Sequence, residues 1–296
     1  MASCAADITA DATCYICQED ATREGIVRGC ACRGTNGLLH LSCLARMARA
    51  ALEVDRCTEK FQRCVMCKKK YHGDVATALG WDAWKAYGTR PGGDPFRRFA
   101  LQFLGLALIE ASQEYNSKSY AQESLRVTQV ALIEYERYCP NPAAMLVVKV
   151  NLSNCYNILD RLDEALAVQR EVFDGYCQLK PPPSPDDPFI AAGNLSCTLN
   201  KMGLFAESES FLRNQIDVAT SALGPNNQET LRLRHNLTST ARMNPAASRI
   251  QLIQACSDLQ DIIERLRLNF GASHPSTQTA ESSLLKTRKR LAKYAA

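Results

Sequence analysis

The chain has 296 residues, of which 46% are hydrophobic and 22% charged, and its formal net charge is +4. This composition excludes wholesale disorder, and so small a charge gives no support to a protein built around a nucleic-acid or membrane field. Nine of the 14 cysteines precede residue 68 and all 12 prolines follow residue 90. Two such zones predict two modules.

Residues 1–11 are read as a flexible N-terminus, and the opening MASCAADITADATCYIC has no basic start followed by an apolar run, so it is not a secretory signal. The longest apolar stretch, Leu101 to Ile109, is broken by Gln102 and closed by Glu110. It falls far short of the roughly 18 to 20 residues that span a bilayer. The expected location is the cytoplasm, with the nucleus as the alternative. In a reducing compartment, clustered cysteines bind metal more often than they form disulfides.

Four ligand pairs follow in order. Cys14 and Cys17 form C-x2-C, Cys30 and Cys32 form C-x-C, His40 and Cys43 form H-x2-C, and Cys64 and Cys67 form a second C-x2-C. Structural zinc takes four sulfur or nitrogen ligands, so eight ligands predict two tetrahedral Zn2+ sites. Glycines flank the C-x-C pair in Arg28-Gly29-Cys30-Ala31-Cys32-Arg33-Gly34, where positive φ is expected to suit a tight knuckle. Leucines from Leu38 to Leu52 predict an amphipathic helix starting near His40. So little apolar sequence cannot build a large core, and metal is expected to supply about 10 kcal/mol per site.

The ligand order, with C-x-C and then seven residues to the histidine, resembles the RING-CH (RING-variant) finger over roughly residues 12–73. The PHD finger shares the order but carries a tryptophan two residues before the last pair, where Gln62 stands. The resemblance implies a zinc-stabilised cross-brace, with Cys14, Cys17, His40 and Cys43 on one zinc and Cys30, Cys32, Cys64 and Cys67 on the other. It also implies a ubiquitin ligase with no nucleophile or base of its own. Such a finger docks a ubiquitin-conjugating enzyme and positions the thioester. By the same resemblance Ile16, Val65 and Met66 touch that enzyme, Lys68 bonds enzyme and ubiquitin, and Tyr71 is a packing aromatic. Met47 stands where the family carries a tryptophan, in Cys43-Leu44-Ala45-Arg46-Met47, and methionine is a softer anchor. Cys57 and His72 lie outside the ligand pattern and are read as a loop residue and a surface residue. Lys68-Lys69-Lys70 is read as a solvated edge.

Residues 74–95 read as a helical linker and loop. Trp81 and Trp84 share a helical face and are expected to hold this helix on the next module. Gly88 to Pro95, GTRPGGDP, then breaks the helix and marks a boundary.

From residue 96 to 296 the prolines punctuate helical patterns. Asn151-Leu152-Ser153 recurs as Asn194-Leu195-Ser196 and Asn236-Leu237-Thr238, at spacings of 43 and 42 residues. Glu164 and Glu207 share that offset, and Leu223-Gly224-Pro225-Asn226-Asn227 returns as Phe270-Gly271-Ala272-Ser273-His274. A period in this range predicts stacked helix pairs. With its G-x-x-x-E-[AS] turn, the stretch resembles tetratricopeptide repeats of the kinesin light chain type, counted as four helix pairs and a final capping helix. Met243-Asn244-Pro245 departs from the usual inter-helix glycine. The resemblance implies a groove for a peptide or protein client. Asn151, Asn194 and Asn236 are candidates to bond a peptide backbone there, against local capping or packing as the alternative. Cys139, Cys155, Cys177, Cys197 and Cys256 are read as small core residues, and His235 and His274 as structural or loop positions. The basic tail Lys286-Thr287-Arg288-Lys289-Arg290-Leu291-Ala292-Lys293 is read as a solvated helix face, with a nuclear signal as the alternative.

The fold expected is mainly α: a small RING-CH finger and an all-α tetratricopeptide-type solenoid. The expected function is a RING-type ubiquitin ligase with a conjugating enzyme on the finger and a protein client on the repeats, and without a catalytic residue. The alternative is a non-catalytic zinc-binding interaction scaffold. A reader of histone tails or nucleic acid is disfavoured by the ligand spacing and the charge. No G-x-x-x-x-G-K-[ST], G-x-S-x-G or H-E-x-x-H motif is present, which argues against nucleotide-driven, serine-hydrolase and metalloprotease chemistry.

Overall fold

The computed structural model describes residues 12–22, 24–32 and 37–294, so the expectations for residues 1–11 and for Arg33 and Gly34 lie outside the described residues. The chain divides into two compact units, Met1–Leu159 and Asp160–Ala296. Among the described residues it is mainly α, with twelve helices and one two-stranded sheet.

The first unit opens on the finger. Strands β1 (Ile26–Val27) and β2 (Leu39–His40) pair antiparallel, with Ile26 opposite His40 and Val27 opposite Leu39. Helix α1 (Leu41–Asp55) follows at once and buries Cys43, Leu44, Ala48, Ala51 and Leu52, one stripe at helical spacing. Its N-terminus has no cap from His40; instead Glu24 accepts from the Ser42 amide at 3.1 Å and from the Ser42 hydroxyl. An anion there meets free N–H groups and the positive end of the helix dipole. The short α2 (Glu59–Gln62) delivers Phe61, which is fully buried.

Helices α3 (Gly73–Tyr87), α4 (Pro95–Glu114), α5 (Lys118–Tyr138) and α6 (Pro142–Ile158) complete this unit. Asp94 caps α4, accepting from the Phe96 and Arg97 amides at 2.8 and 3.1 Å, with Pro95 in the first turn. Asn141 and Pro142 repeat the device at α6. One continuous core runs from the finger through Leu44, Phe61, Tyr71, Val75, Leu79 and Tyr87 to Ala100 and Phe103. Phe61 meets Phe99 and Phe103 edge-on at 5.3 and 5.7 Å, and Tyr87 stacks on Phe96 at 5.4 Å. Trp84 is half-buried, packs against that core and the α4–α5–α6 cluster, and carries Arg97 over its ring. Trp81 is half-buried on α3.

The second unit contains α7 (Leu162–Gln178), α8 (Asp187–Lys201), α9 (Phe205–Leu223), α10 (Gln228–Met243), α11 (Arg249–Phe270) and α12 (Pro275–Ala292). The recurring Gly224 and Gly271 phrases are one turn used twice. Both glycines sit at φ near 90°, a region costly for a residue with a Cβ. Each is followed by an N-cap, Asn227 or His274, whose amide returns to the glycine carbonyl at 3.4 Å. The hydroxyl residue of the recurring Asn-Leu-Ser/Thr is likewise structural. The hydroxyls of Ser153, Ser196 and Thr238 donate to the carbonyls three residues back at 2.9, 2.8 and 2.7 Å. Satisfied in this way, a small polar residue can lie buried in a helix.

Where the glycine is missing, at Met243-Asn244-Pro245, a side chain replaces it. Arg290 of α12 donates to the carbonyls of Ala241, Arg242, Asn244 and Pro245. Arg290 is therefore a cap for α10 and not part of a solvated face. His235 is half-buried and bonded to Ser283 at 2.9 Å, a structural position as expected. Of the cysteines expected in the core, Cys155 is fully buried and donates to Ser124 at 3.2 Å, but Cys177 and Cys197 are exposed. Small size lets cysteine be buried without requiring it.

Candidate metal centre

Two knuckles of identical construction anchor the finger. The Cys14 amide donates to Glu19 O at 2.8 Å and the Gln18 amide to Cys14 O at 2.8 Å; the Cys64 amide donates to Lys69 O at 2.9 Å and the Lys68 amide to Cys64 O at 2.9 Å. In each, the residue after the second cysteine takes positive φ: Gln18 at 66° and Lys68 at 59°. The sequence expectation gave positive φ to the glycines beside Cys30 and Cys32, and for Gly29 it does not hold. Gly29 is small for another reason: a Cβ there would lie 2.5 Å from the Val75 side chain, where α3 crosses the finger.

The eight ligands gather into two sets, Cys14, Cys17, His40 and Cys43, and Cys30, Cys32, Cys64 and Cys67, each with its ligand atoms within 4.8 Å of one another. Pairs one and three meet, as do pairs two and four, so the sites interleave along the chain as a cross-brace. The first set is built by a knuckle, β2 and the first turn of α1; the second by the loop after β1 and the other knuckle.

The separations fit a tetrahedron around one ion. With metal–sulfur bonds of about 2.3 Å, tetrahedral ligands lie about 3.8 Å apart. Cys32 and Cys64 sulfurs are 3.6 Å apart, and His40 Nδ1 lies 3.4 Å from Cys17 Sγ and 3.9 Å from Cys43 Sγ. His40 Nε2 lies 2.8 Å from the Asp20 carbonyl, to which it can only donate. That bond puts the ring proton on Nε2 and leaves the Nδ1 lone pair to the cysteines, the arrangement a metal-ligating histidine needs.

Thiol acidities separate by environment. Against burial, which raises it, the amides of His40, Cys17 and Ile16 hold the Cys14 thiol down to about 7. Burial also acts on Cys67, where the amides of Lys69 and Ala31 and the Cys32 and Cys64 thiols together outweigh it and the thiol falls to about 7. Burial pushes Cys43 up to about 11 and raises Cys30 further. Raised thiols lose their protons to solvent when a cation takes their place on sulfur, so metal binding releases protons.

Tyr15 and Tyr71 have a polar role that ligand spacing does not reveal. Tyr15 belongs to the first knuckle, yet burial and the thiols of Cys64, Cys30 and Cys32 push its hydroxyl up to about 12. Tyr71 is 2% exposed, and beyond burial its hydroxyl feels Tyr15 and the cysteines of the same set. Neither hydroxyl has a hydrogen-bond partner among the described residues. Buried O–H donors beside a four-cysteine cluster suit sulfurs that carry charge, which a bound cation maintains.

Residues 14–67 match the model of the RING-variant domain. The finger is a RING-variant domain. Two solved structures of kinesin light chain TPR-like repeats from Podosopora anserina resemble most of the chain. One, a single-substitution form, is 14% identical, covers 77% of this chain and 95% of its own, and has a TM-score of 0.53. The other is 14% identical, covers 78% and 96%, and has a TM-score of 0.52. At that identity the likeness shows the fold, TPR-like helical repeats. No curated protein matches the chain.

Around the RING-variant finger, Met66 is 57% exposed, Lys68 is exposed, and Ile16, Met47 and Val65 are half-buried. Cys57 lies outside both ligand sets, with its amide on Ala51 O, and His72 is exposed. In the repeats, Asn151 and Asn236 are buried and Asn194 is half-buried. Asn236 donates to Gly193 O at 3.1 Å and Ser196 Oγ at 3.0 Å, tying α10 to α8. No helix among the described residues is long and apolar enough to cross a membrane.

Proposed function

We propose that this protein is a RING-type ubiquitin ligase, with two structural zinc ions in the finger and the client on the helical repeats. The observation that carries the reading is the interleaved pair of four-ligand sets in a RING-variant domain, with apolar and cationic side chains at the surface of its two knuckles. Each ligand set fills all four positions of a tetrahedron from the protein, which suits structural zinc and leaves no place for a reacting water.

In this reading Ile16 from the first knuckle, Val65 and Met66 from the second and Met47 of α1 form the docking face for a ubiquitin-conjugating enzyme. Lys68 sits where its charge meets enzyme and ubiquitin. Catalysis is positioning: the finger holds the thioester in a reactive pose, and the attacking lysine comes from the client. The functional modules are the finger at 12–73, the helix and loop at 74–95 and the repeats at 96–296. Asn194, half-buried, is better placed to meet a client backbone than Asn236, whose amide is engaged within the fold. The protein works in the cytoplasm or nucleus.

The test is discharge of ubiquitin from a panel of charged conjugating enzymes by the full-length protein. Discharge is expected with at least one enzyme. Ile16→Ala and Lys68→Ala should each lower it at least about tenfold, the size of a lost interface anchor or charged hydrogen bond. Zinc content near two ions per chain with no discharge across the panel would instead establish the scaffold reading.

A further inference from the structure

Helix α10 ends without the glycine that closes α9 and α11, and Arg290 replaces it by donating to four carbonyls at that end. This arrangement fixes a guanidinium beside a second one, Arg242, in the last turn of α10. Between them, with Met243, Pro245, Lys293 and Tyr294, lies a cavity of about 470 Å3 with no acidic residue among its lining. The Arg242 side chain has no ion pair among the described residues, and its Nε is buried without an acceptor. Burial and the neighbouring Arg290 lower its affinity for a proton.

Attraction to the helix C-terminus accounts for a cation in the last turn of α10, and Arg290 already supplies the carbonyls there. It does not account for a second guanidinium with a buried, unanswered N–H, because the helix dipole is weaker than the cost of burying a charged donor that nothing accepts. Lys293 adds a third, exposed cation to the same cavity. The donors left over are those of Arg242 and Lys293, a set that matches one oxyanion. The remaining walls are apolar: Met243, Pro245 and the ring of Tyr294, whose hydroxyl is held by Ala247 O. The cavity is open to solvent along one side, so an extended segment can lay a side chain into it.

We propose that the cavity between the C-terminal ends of α10 and α12 binds an oxyanion, carboxylate or phosphate, on a peptide segment of a partner protein. Arg242 donates through its terminal nitrogens, Lys293 is the rim charge, and Arg290 the fixed cation that keeps the site positive. The proposal rests on the reading of the helical repeats as a partner module. Its test uses no conjugating enzyme, so it is separate from ubiquitin transfer.

The full-length, zinc-loaded protein is applied to arrays of peptides with random flanks around a fixed central phosphoserine, glutamate or serine, and selected peptides are measured by fluorescence anisotropy. Phosphoserine or glutamate peptides should bind at least about tenfold tighter than their serine forms, as a charge-assisted bond requires. Arg242→Gln and Lys293→Glu should each remove that preference. Arg242→Gln should melt no lower than the parent protein, because the unanswered charge is gone. The preferred anion tells phosphate from carboxylate. Equal binding of serine peptides, preference unchanged in both variants, no binding, or binding only to vesicles of phosphatidylcholine and phosphatidylserine would overturn the proposal.

Discussion

The finger and the Asp160–Ala296 unit reach order by opposite routes. The finger has two strands of two residues each and a single long helix of its own, and its coherence comes from eight ligands that gather around two points. The second unit has no such gathering point among its described residues. It is held by repeated caps, by turns at Gly224 and Gly271, and by hydroxyls that answer their own helices. One region concentrates its stabilisation in a few atoms, and the other spreads it over many small contributions. They should therefore fail differently.

The largest expected effect is metal removal. Structural zinc sites contribute on the order of 10 kcal/mol each, so chelation should unfold the finger outright. Because Phe61, Tyr71 and Val75 share one core with α3 and α4, the loss should extend into those helices. Amide hydrogen exchange followed by mass spectrometry should show protection lost through α4 and kept in α8 to α11. Uniform loss would break the comparison.

Phe61→Ala comes next. It deletes a fully buried ring that meets Phe99 and Phe103, and such truncations cost about 3–5 kcal/mol. The melting transition of the first unit should fall while zinc content stays at two per chain. A loss of zinc would mean that the ring supports the ligand geometry as well as the junction.

The smallest effect expected is in the second unit. Ser248 and Gln251 form a reciprocal cap at α11, with bonds of 3.2 and 2.8 Å. Ser248→Ala should cost about 1 kcal/mol, read as a small shift in denaturant midpoint without a change in slope. A large loss would mean that this unit also depends on single points.

The metal centre is legible in the sequence because ligand chemistry demands particular residues at particular spacings, and Cys14 to Cys67 meet those demands in order. The repeats are legible through Asn-Leu-Ser and the glycine phrase, which mark a helix position and a turn. What escapes such a reading is set by contacts distant in sequence. Gly29 is small because Val75 lies against it, although its neighbours suggest a knuckle glycine. Arg290 caps a helix that ends 47 residues earlier at Met243, and nothing local distinguishes it from the lysines around it. Tyr15 stands between two ligands of one set, although its hydroxyl also feels the thiols of the other.

The shared core between finger and helices has a mechanical consequence. A RING-type finger on a loose tether sweeps a wide volume, and the tether's length sets which sites it can serve. Here Phe61, Val75, Leu79 and Phe103 make the joint to α3 and α4 solid. Anything seated on the knuckles is then held at one bearing relative to α4, like a tool clamped in a vice, and reach is set by helix length and turn geometry instead of chain slack.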